Sequence, residues 1–440
     1  MPRIDLFPIT TRTTPKDGKS HLTIAGQSLA DLADQFGTPL YIYDEATLAD
    51  AVETYRSALR AFYPGEAGIT YAGKAFLCIA MAQWAAQQGL RLDCSGVGEL
   101  FIAASADVPK GQVVVHGVNK TQADLEAALE QGGVIVVDNF DEIQRLRQLA
   151  GDLPVKYPRL WLRVRPGQAV KTHAYMQTGQ EESKFGFSPE EARQAVRLCL
   201  EHNLPIEGLH FHLGSHFHDP TPLEAAIDTV LKLAANLRDE IGWVPKTLSP
   251  GGGWGVAYTE EDLPQPSIEA YVSFIAGKLV AGCQKLGLPL PYLQLEPGRS
   301  LAARAGVAVY RVGAVKHTAR RRWLLLDGGM ADNPRPALYK ARYSALPVVD
   351  VERSYRGRAW LAGPTCESGD ILIKNLPMPD IQVGELIAVP VSGAYQLSMG
   401  SNYNGARKPA VIWLDGAGAR LILRRETLKD LINRDEEVCI

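Results

Sequence analysis

No two of the chain's six cysteines (Cys78, Cys94, Cys199, Cys283, Cys366, Cys439) are close enough to form a CxxC pair. That excludes a thiolate zinc knuckle and argues against a disulfide framework, so a reducing, cytoplasmic compartment is the expectation. Long apolar runs are missing too. No window approaches the ~18 uninterrupted apolar residues of a membrane span, and no basic segment followed by an apolar stretch opens the chain, so a soluble, unexported protein is expected. Nor does one sign of charge dominate. The 46 Lys+Arg against 49 Asp+Glu give a net charge of −3, leaving no global basic field to gather nucleic acid or an anionic membrane. The densest basic run, Arg320 to Arg322, precedes the apolar Trp323 to Leu326 and reads as a solvated turn before a strand. Internal repeats and low-complexity segments are absent.

What is present is ordinary for a globular enzyme: 46% hydrophobic and 22% charged residues. A length of 440 residues exceeds what one hydrophobic core usually supports, which predicts two domains or a barrel with an added module. Between about residue 40 and residue 300 short β-rich runs alternate with amphipathic helical stretches. Strands are expected at 40–43, 112–116, 133–137, 160–164, 208–212 and 292–295. A helix over 75–88 stops at Gly89, and another over 121–131 begins on the hydroxyl N-cap Thr121. This span suits a closed (β/α)8 barrel (~250 residues) better than a doubly wound sheet. After residue 300 β-type runs dominate, at 307–312, 323–326, 386–391, 410–414 and 420–423, and predict a separate β-domain. The first 35 residues hold one helical run near 28–35 and are expected to pair with that sheet.

Several segments concentrate chemistry. Tyr71-Ala72-Gly73-Lys74-Ala75 sets a lone lysine where an apolar strand ends, a place where an amine can attack an aldehyde; alone it reads more readily as a surface lysine. Ser249-Pro250-Gly251-Gly252-Gly253-Trp254-Gly255 lets backbone amides approach an anion, though a plain turn explains it equally well. In Leu295-Glu296-Pro297-Gly298-Arg299 an acid suited to a pyridinium nitrogen precedes an arginine suited to an anion; an internal Glu–Arg pair is the alternative. The histidines of 210–218 invite a zinc reading because alternate strand residues share a face. No HExxH or third-ligand pattern beyond Asp219 supports it, and an imidazole stacked on a planar cofactor, with Ser215 offering its hydroxyl to phosphate, is preferred. Cys366 and Glu367 sit in the turn-rich Gly363 to Asp370. The neighbouring acids disfavour a thiolate there and suit a proton donor.

In this order the segments resemble the fold-type III pyridoxal-phosphate decarboxylases, and within them the diaminopimelate decarboxylase family. The resemblance runs through YAGKA (71–75), LDCSGVGEL (92–100), HGVNK (116–120), VDNFDE (137–142), THAYMQTGQEESKFGF (172–187), GLHFHLGS (208–215), GGGWG (251–255), EPGR (296–299), DGGMADNPRPALY (327–339), GPTCESGD (363–370) and GAYQLSMGSNYN (393–404). It implies an alanine-racemase-like (β/α)8 TIM barrel over 37–302, a C-terminal β-domain over 303–440 and an N-terminal segment, 1–36, packed with the latter. It further implies that Lys74 carries pyridoxal 5'-phosphate as a Schiff base, that His212 stacks on the ring and that Glu296 pairs with its nitrogen. Phosphate is then held by Ser215, Gly251, Gly252, Gly253, the turn through Gly298 to Arg299, and Tyr395. A homodimer with shared sites is implied, Cys366 and Glu367 crossing to the other subunit and Cys366 returning the proton, with Lys74 the alternative donor. Arg299, Arg335, Tyr339, Glu367 and Tyr395 become the substrate-binding set, and no metal is expected.

The implied reaction is decarboxylation of meso-2,6-diaminopimelate to L-lysine. A substrate with an amino-acid group at each end offers Arg335 a distal carboxylate, which lysine, ornithine or arginine would not. Decarboxylation of one of those, or of a siderophore intermediate, is the same-fold rival; a cofactor carrier and a zinc hydrolase are the rivals of other classes. Two positions depart from the family pattern: Ser249 stands where an acid is usual before the glycines, and His216 where the pattern has glutamine.

Overall fold

The structure is a computed structural model that describes residues 2–150, 158–168 and 178–436. Cys439 and the first part of the 172–187 motif lie outside those residues. The chain divides into two compact units, 52–255 with 267–300, and 1–51 with 256–266 and 301–440.

The first unit is a closed barrel of eight parallel strands in chain order, which we label β1 (Ala67–Ala72), β2 (Arg91–Cys94), β3 (Val113–Val115), β4 (Val134–Val137), β5 (Arg159–Arg163), β6 (Ile206–His210), β7 (Thr247–Gly251) and β8 (Tyr292–Leu295). Pairing of Leu293 with Ala67 closes the ring between β8 and β1. The strands are nearly continuous runs of buried apolar residues, as expected where both faces of a parallel sheet are covered. Helix caps do the local work between them. Thr121 accepts from the Asp124 amide in a capping box that starts the helix Gln122–Gln131, and Gly89, at φ +66°, follows the helix Ile79–Gln87 in the left-handed region.

The second unit is built on a nine-stranded sheet in which Leu40–Asp44 lies between Gly306–His317, antiparallel, and Ala410–Asp415, parallel. Its core joins Leu22, Ile24, Leu29 and Leu32 from the N-terminal segment to Ile42, Val307, Val309 and Ile412. The barrel and separate β-sheet match the expected fold class. The bounds do not match as drawn: the strand at 40–43, assigned to the barrel, is a central strand of this sheet, and 256–266 also belongs to this unit. All five residues of Leu40–Asp44 are buried, and an uninterrupted apolar run carries no mark of which sheet will cover it. The barrel reaches eight strands through β2 and β7, short segments with polar or glycine ends that periodicity passes over. Among the described residues no helix is long and apolar enough to cross a membrane.

One buried ion pair ties the ends of β3 and β4. Lys120 Nζ donates to Glu142 Oε2 at 2.9 Å, to the Gly117 carbonyl at 2.8 Å and to the Val136 carbonyl at 2.7 Å, and Glu142 also accepts from the Asp138 amide at 3.0 Å. Both side chains are almost wholly excluded from water. Removing one member strands the other charge. Lys120→Met should therefore cost about 3–5 kcal/mol in urea unfolding, and adding Glu142→Leu should restore most of the loss; equal stability of wild type and single variant would contradict the pairing.

Candidate active site

The polar side chains of the barrel unit gather where its strands end, the face on which such barrels place chemistry. At the end of β1 the chain turns through Gly73, where a Cβ would lie 2.6 Å from the Asp93 carbonyl; this leaves glycine as the residue that lets the turn close against β2. The turn presents Lys74, half exposed, with Nζ 3.3 Å from Asp93 Oδ2. Asp93 is buried on β2, and its other oxygen lies 3.8 Å from His116 Nε2, just past β3. His116 Nε2 in turn lies 3.6 Å from Glu296 Oε1, at the end of β8.

Glu296 is the focus of this row. Its Oε2 meets His210 Nε2 from β6 at 3.0 Å, and its Oε1 accepts from the Ser249 hydroxyl of β7 at 2.9 Å. Burial alone would raise this carboxyl, but His210 and His116 facing it, with the hydrogen bond from His210, hold it well below the usual carboxylate range. Burial also drives His210 down to about 4, against the pull of Glu296, so at neutral pH the ring is uncharged and its Nε2–H donates. The result is one buried negative charge held by neutral donors.

The glycine loop after β7 has no room for side chains. A Cβ at Gly251 would sit 2.7 Å from His212 Nδ1, at Gly252 2.1 Å from the Glu296 carbonyl and at Gly253 2.0 Å from the Gly214 carbonyl, and φ is +73° at Gly251 and +105° at Gly253. Ser249 also accepts from the Gly251 amide at 3.1 Å, so a single hydroxyl joins the loop to Glu296. Beside the loop, buried Arg299 donates to Ser215 Oγ at 3.0 Å. Gly298 packs against the Lys74 turn, where its Cβ would meet that of Ala72 at 2.9 Å. His212 is half-buried, with the Gly252 amide 3.4 Å from its Nδ1; burial and then the cations Lys74 and Arg163 push its imidazole well below its ordinary value.

Lys74, His212, Ser215, Gly251 to Gly253, Glu296, Gly298 and Arg299 thus share the barrel unit, whereas Arg335, Tyr339, Cys366, Glu367 and Tyr395 belong to the β-sheet unit. In that unit Arg335 is buried, donating to Tyr258 Oη at 2.9 Å and to Tyr343 Oη, with its guanidinium 4.9 Å from the centre of the Tyr258 ring. Tyr339 and Tyr395 are half-buried, and Cys366 and Glu367 are exposed.

The histidine reading is corrected in one respect. β6 ends at His210, so His212 is not its strand neighbour; His210 turns to Glu296, while His216 and His218 pack edge to face at 5.0 Å. Among the described residues the donors that converge are His116, His210 and Glu296, within 4.8 Å of one another. Asp93, His116, Tyr258 and Tyr343 are not singled out from the sequence, where His210 enters only as one of the histidines of 210–218, and Ser249 only at the head of the glycine segment and as a departure from the usual acid. For Asp93 and His116 a signal existed, since each is a polar residue closing a short apolar run, the position that faces the mouth of a parallel barrel.

A phosphorylated pyridine aldehyde fits this donor set. An amine stands beside an acid, an ionised carboxylate lies among neutral donors, and amides, a hydroxyl and a guanidinium form an anion cradle that side chains at the glycines would fill. Among the described residues the buried atoms His116 Nε2 and Asp93 Oδ1 have no hydrogen-bond partner, leaving polar capacity at the same place.

Comparison with known proteins agrees. Residues 47–303 match the family model described as pyridoxal-dependent decarboxylase, pyridoxal binding domain. The diaminopimelate decarboxylase of Bacillus subtilis (strain 168) is 38% identical over 429 residues, covering 96% of this chain and 97% of that protein. That of Synechocystis sp. is 38% identical over 446 residues, covering 99% and 93%. The crystal structure of diaminopimelate decarboxylase from M. jannaschii in co-complex with L-lysine superposes with a TM-score of 0.89 at 30% identity, covering 98% of each chain.

The His210 shift sets a pH dependence of folding. Its value falls from 6.5 to about 4 on folding, so the unfolded chain binds the extra proton between those limits. The associated stability is fully present above pH 6.5 and lost as pH falls toward 4, on the order of 3 kcal/mol. His210→Gln should remove this part of the slope of urea midpoint against pH; an unchanged slope would show that His210 is not held neutral.

Proposed function

We propose that this chain, which belongs to the diaminopimelate decarboxylase family of pyridoxal-dependent decarboxylases, releases one carboxylate of meso-2,6-diaminopimelate as CO2 and leaves L-lysine, the last step of lysine biosynthesis. The observation that carries the choice of substrate is the state of Arg335. Its guanidinium is buried and hydrogen-bonded to two tyrosine hydroxyls, and it pairs with no carboxylate among the described residues. Buried charges are normally paired, and a fork of N–H donors is suited to a carboxylate. The distal carboxylate of diaminopimelate supplies the missing anion; lysine or ornithine would leave the charge uncompensated.

Pyridoxal phosphate, when bound, supplies an electron sink for the pair left behind as CO2 departs. The residues divide the remaining work. Lys74 would hold the cofactor through its amine, and Asp93 at 3.3 Å stabilises the ammonium whenever that amine is free. Glu296, kept ionised, would hold a proton on the ring nitrogen, and its own donors His210 and Ser249 keep it oriented. Neutral His212 would cover the ring without adding a competing charge. Gly251 to Gly253, Ser215, Gly298, Arg299 and Tyr395 would hold the phosphate. Arg335, with Tyr339, binds the distal carboxylate, and Glu367 accepts from the distal ammonium. Cys366 returns a proton to the carbon that lost CO2. The active form is a homodimer in which the second subunit provides Cys366 and Glu367, whose exposure within their own chain suits that use. The free state of the five described cysteines suits the reducing cytoplasm.

The test is CO2 release from the cofactor-loaded protein offered meso-diaminopimelate, lysine, ornithine and arginine in parallel. Preference for meso-diaminopimelate with lysine as product is expected; preference for ornithine or lysine would keep the cofactor site and overturn the role of Arg335. Arg335→Lys, which replaces a fork with a point charge, should lower kcat/KM for meso-diaminopimelate roughly 10- to 100-fold. Lys74→Ala should abolish turnover and the visible absorbance of bound cofactor together, and persistent turnover would remove Lys74 from its role.

A further inference from the structure

The β-sheet unit contains a buried carboxylate that the reading above leaves without a task. The neighbouring parallel strands Arg322–Leu326 and Arg358–Ala362 pair Leu325 with Ala362, and from their ends leave two segments. One runs through 327–334 to the short helix Arg335–Tyr339; the other is the turn 363–370 that carries Cys366 and Glu367. Asp370 lies between them, 3% exposed. Its Oδ1 accepts from the Met330 amide of the first segment at 2.7 Å. Its Oδ2 accepts from the Thr365 amide at 3.0 Å and the Thr365 hydroxyl at 2.7 Å in the second.

The glycines on either side are shaped to this carboxylate. A Cβ at Gly329 would lie 2.2 Å from Asp370 Oδ1, and one at Gly363 would lie 2.3 Å from both carboxylate oxygens. The order continues toward Arg335, because the Gly329 amide donates to Asp332 Oδ1 at 2.8 Å and the Asn333 amide to the Gly329 carbonyl at 2.8 Å. On the other side the Asp370 amide donates to the Glu367 carbonyl and its carbonyl accepts from the Gly363 amide, both at 3.0 Å, closing the turn around Cys366. An ordinary turn acid would bond within its own turn; this one bonds across to a second segment.

We infer that Asp370 is a positioning residue that clamps the Cys366–Glu367 turn to the segment leading into Arg335 of the same chain, so that the proton donor one subunit lends to the other's site and the carboxylate-binding arginine of its own site are held as one body. The inference rests on the functional reading above for the roles of Cys366 and Arg335. A substrate without a distal carboxylate would then leave unsteadied not only the arginine of its own site but also the turn that the same chain lends to the other site.

The experiment uses cofactor-loaded full-length protein and compares Asp370→Asn, Cys366→Ala, Arg335→Lys and the Asp370→Asn doubles. It measures kcat and KM for meso-diaminopimelate and hydrogen exchange at the Met330 and Thr365 amides. Asparagine keeps the shape but turns one acceptor oxygen into a donor. The expected result is a kcat lowered about 10-fold or more together with a KM raised several-fold, cofactor absorbance intact, and protection lost at both amides. In the Cys366→Ala background Asp370→Asn should lower kcat little further, and in the Arg335→Lys background it should raise KM little further, the non-additivity of groups acting through one another. Additive effects in both doubles, or unchanged kcat and KM with protection lost, would overturn the clamp. If Asp370→Asn does not fold, Thr365→Val, which removes one of the three bonds, should show the same pattern about 2- to 5-fold. A wild type inactive on meso-diaminopimelate would instead sink the functional reading. Exchange would then decide the clamp alone: joint loss at Met330 and Thr365 supports it, and loss at Thr365 only rejects it.

Discussion

The buried carboxylate of Glu296 is the constraint from which the rest of the barrel site follows. A negative charge in that position is tolerable because neutral donors are fixed around it before any ligand arrives: the Nε2–H of His210 and the hydroxyl of Ser249. Each donor has further obligations. Ser249 accepts from Gly251 and so sets the start of the glycine loop, and that loop reaches Glu296 only because Gly252 carries no side chain at a place where a Cβ would be 2.1 Å from the Glu296 carbonyl. The buried charge and the amides of the glycine loop are therefore one rigid construction, and neither can shift without the other.

The β-sheet unit solves the opposite problem. There the buried charge is positive, and Arg335 is surrounded by tyrosine rings and hydroxyls that orient the guanidinium without neutralising it. An arginine paired to an acid of its own chain would have to give that acid up before binding a substrate carboxylate. Orientation by Tyr258 and Tyr343 keeps the charge available to an anion, the feature on which the proposed discrimination against substrates lacking a distal carboxylate rests.

Much of this was legible before the structure. Lys74, Glu296, Arg299, the glycine loop and Cys366 announced themselves because reactive residue types stood at turns beside apolar runs, and helix signals such as Thr121 and Gly89 are local enough to be read by eye. Asp93 and His116 did not, although both lie in segments that carry the family resemblance, and His210 and Ser249 were visible only as a member of a histidine run and as a departure from the usual acid. A buried acid on a strand looks like any polar residue until its neighbours are known. Ser249, read as a departure from the usual acid, proved to be a hydrogen-bond donor to Glu296, a role in which a second carboxylate would introduce like-charge repulsion.

By itself, then, the sequence determined the alternation of strand and helix, the chemistry-bearing turns, the family and thus the cofactor, all of which depend on short-range order or on motifs kept intact. The tertiary structure decided which sheet receives Leu40–Asp44, that His210 and not His212 serves Glu296, which tyrosines surround Arg335, and that Asp370 reaches out of its own turn to Met330. Barrel closure and sheet pairing bring together residues 40 to 86 positions apart, as with Asp370 and Met330 or Glu296 and His210. Hydrophobic period specifies that a strand is buried but not its neighbours, and the partner of a buried polar group is fixed only when the neighbours are.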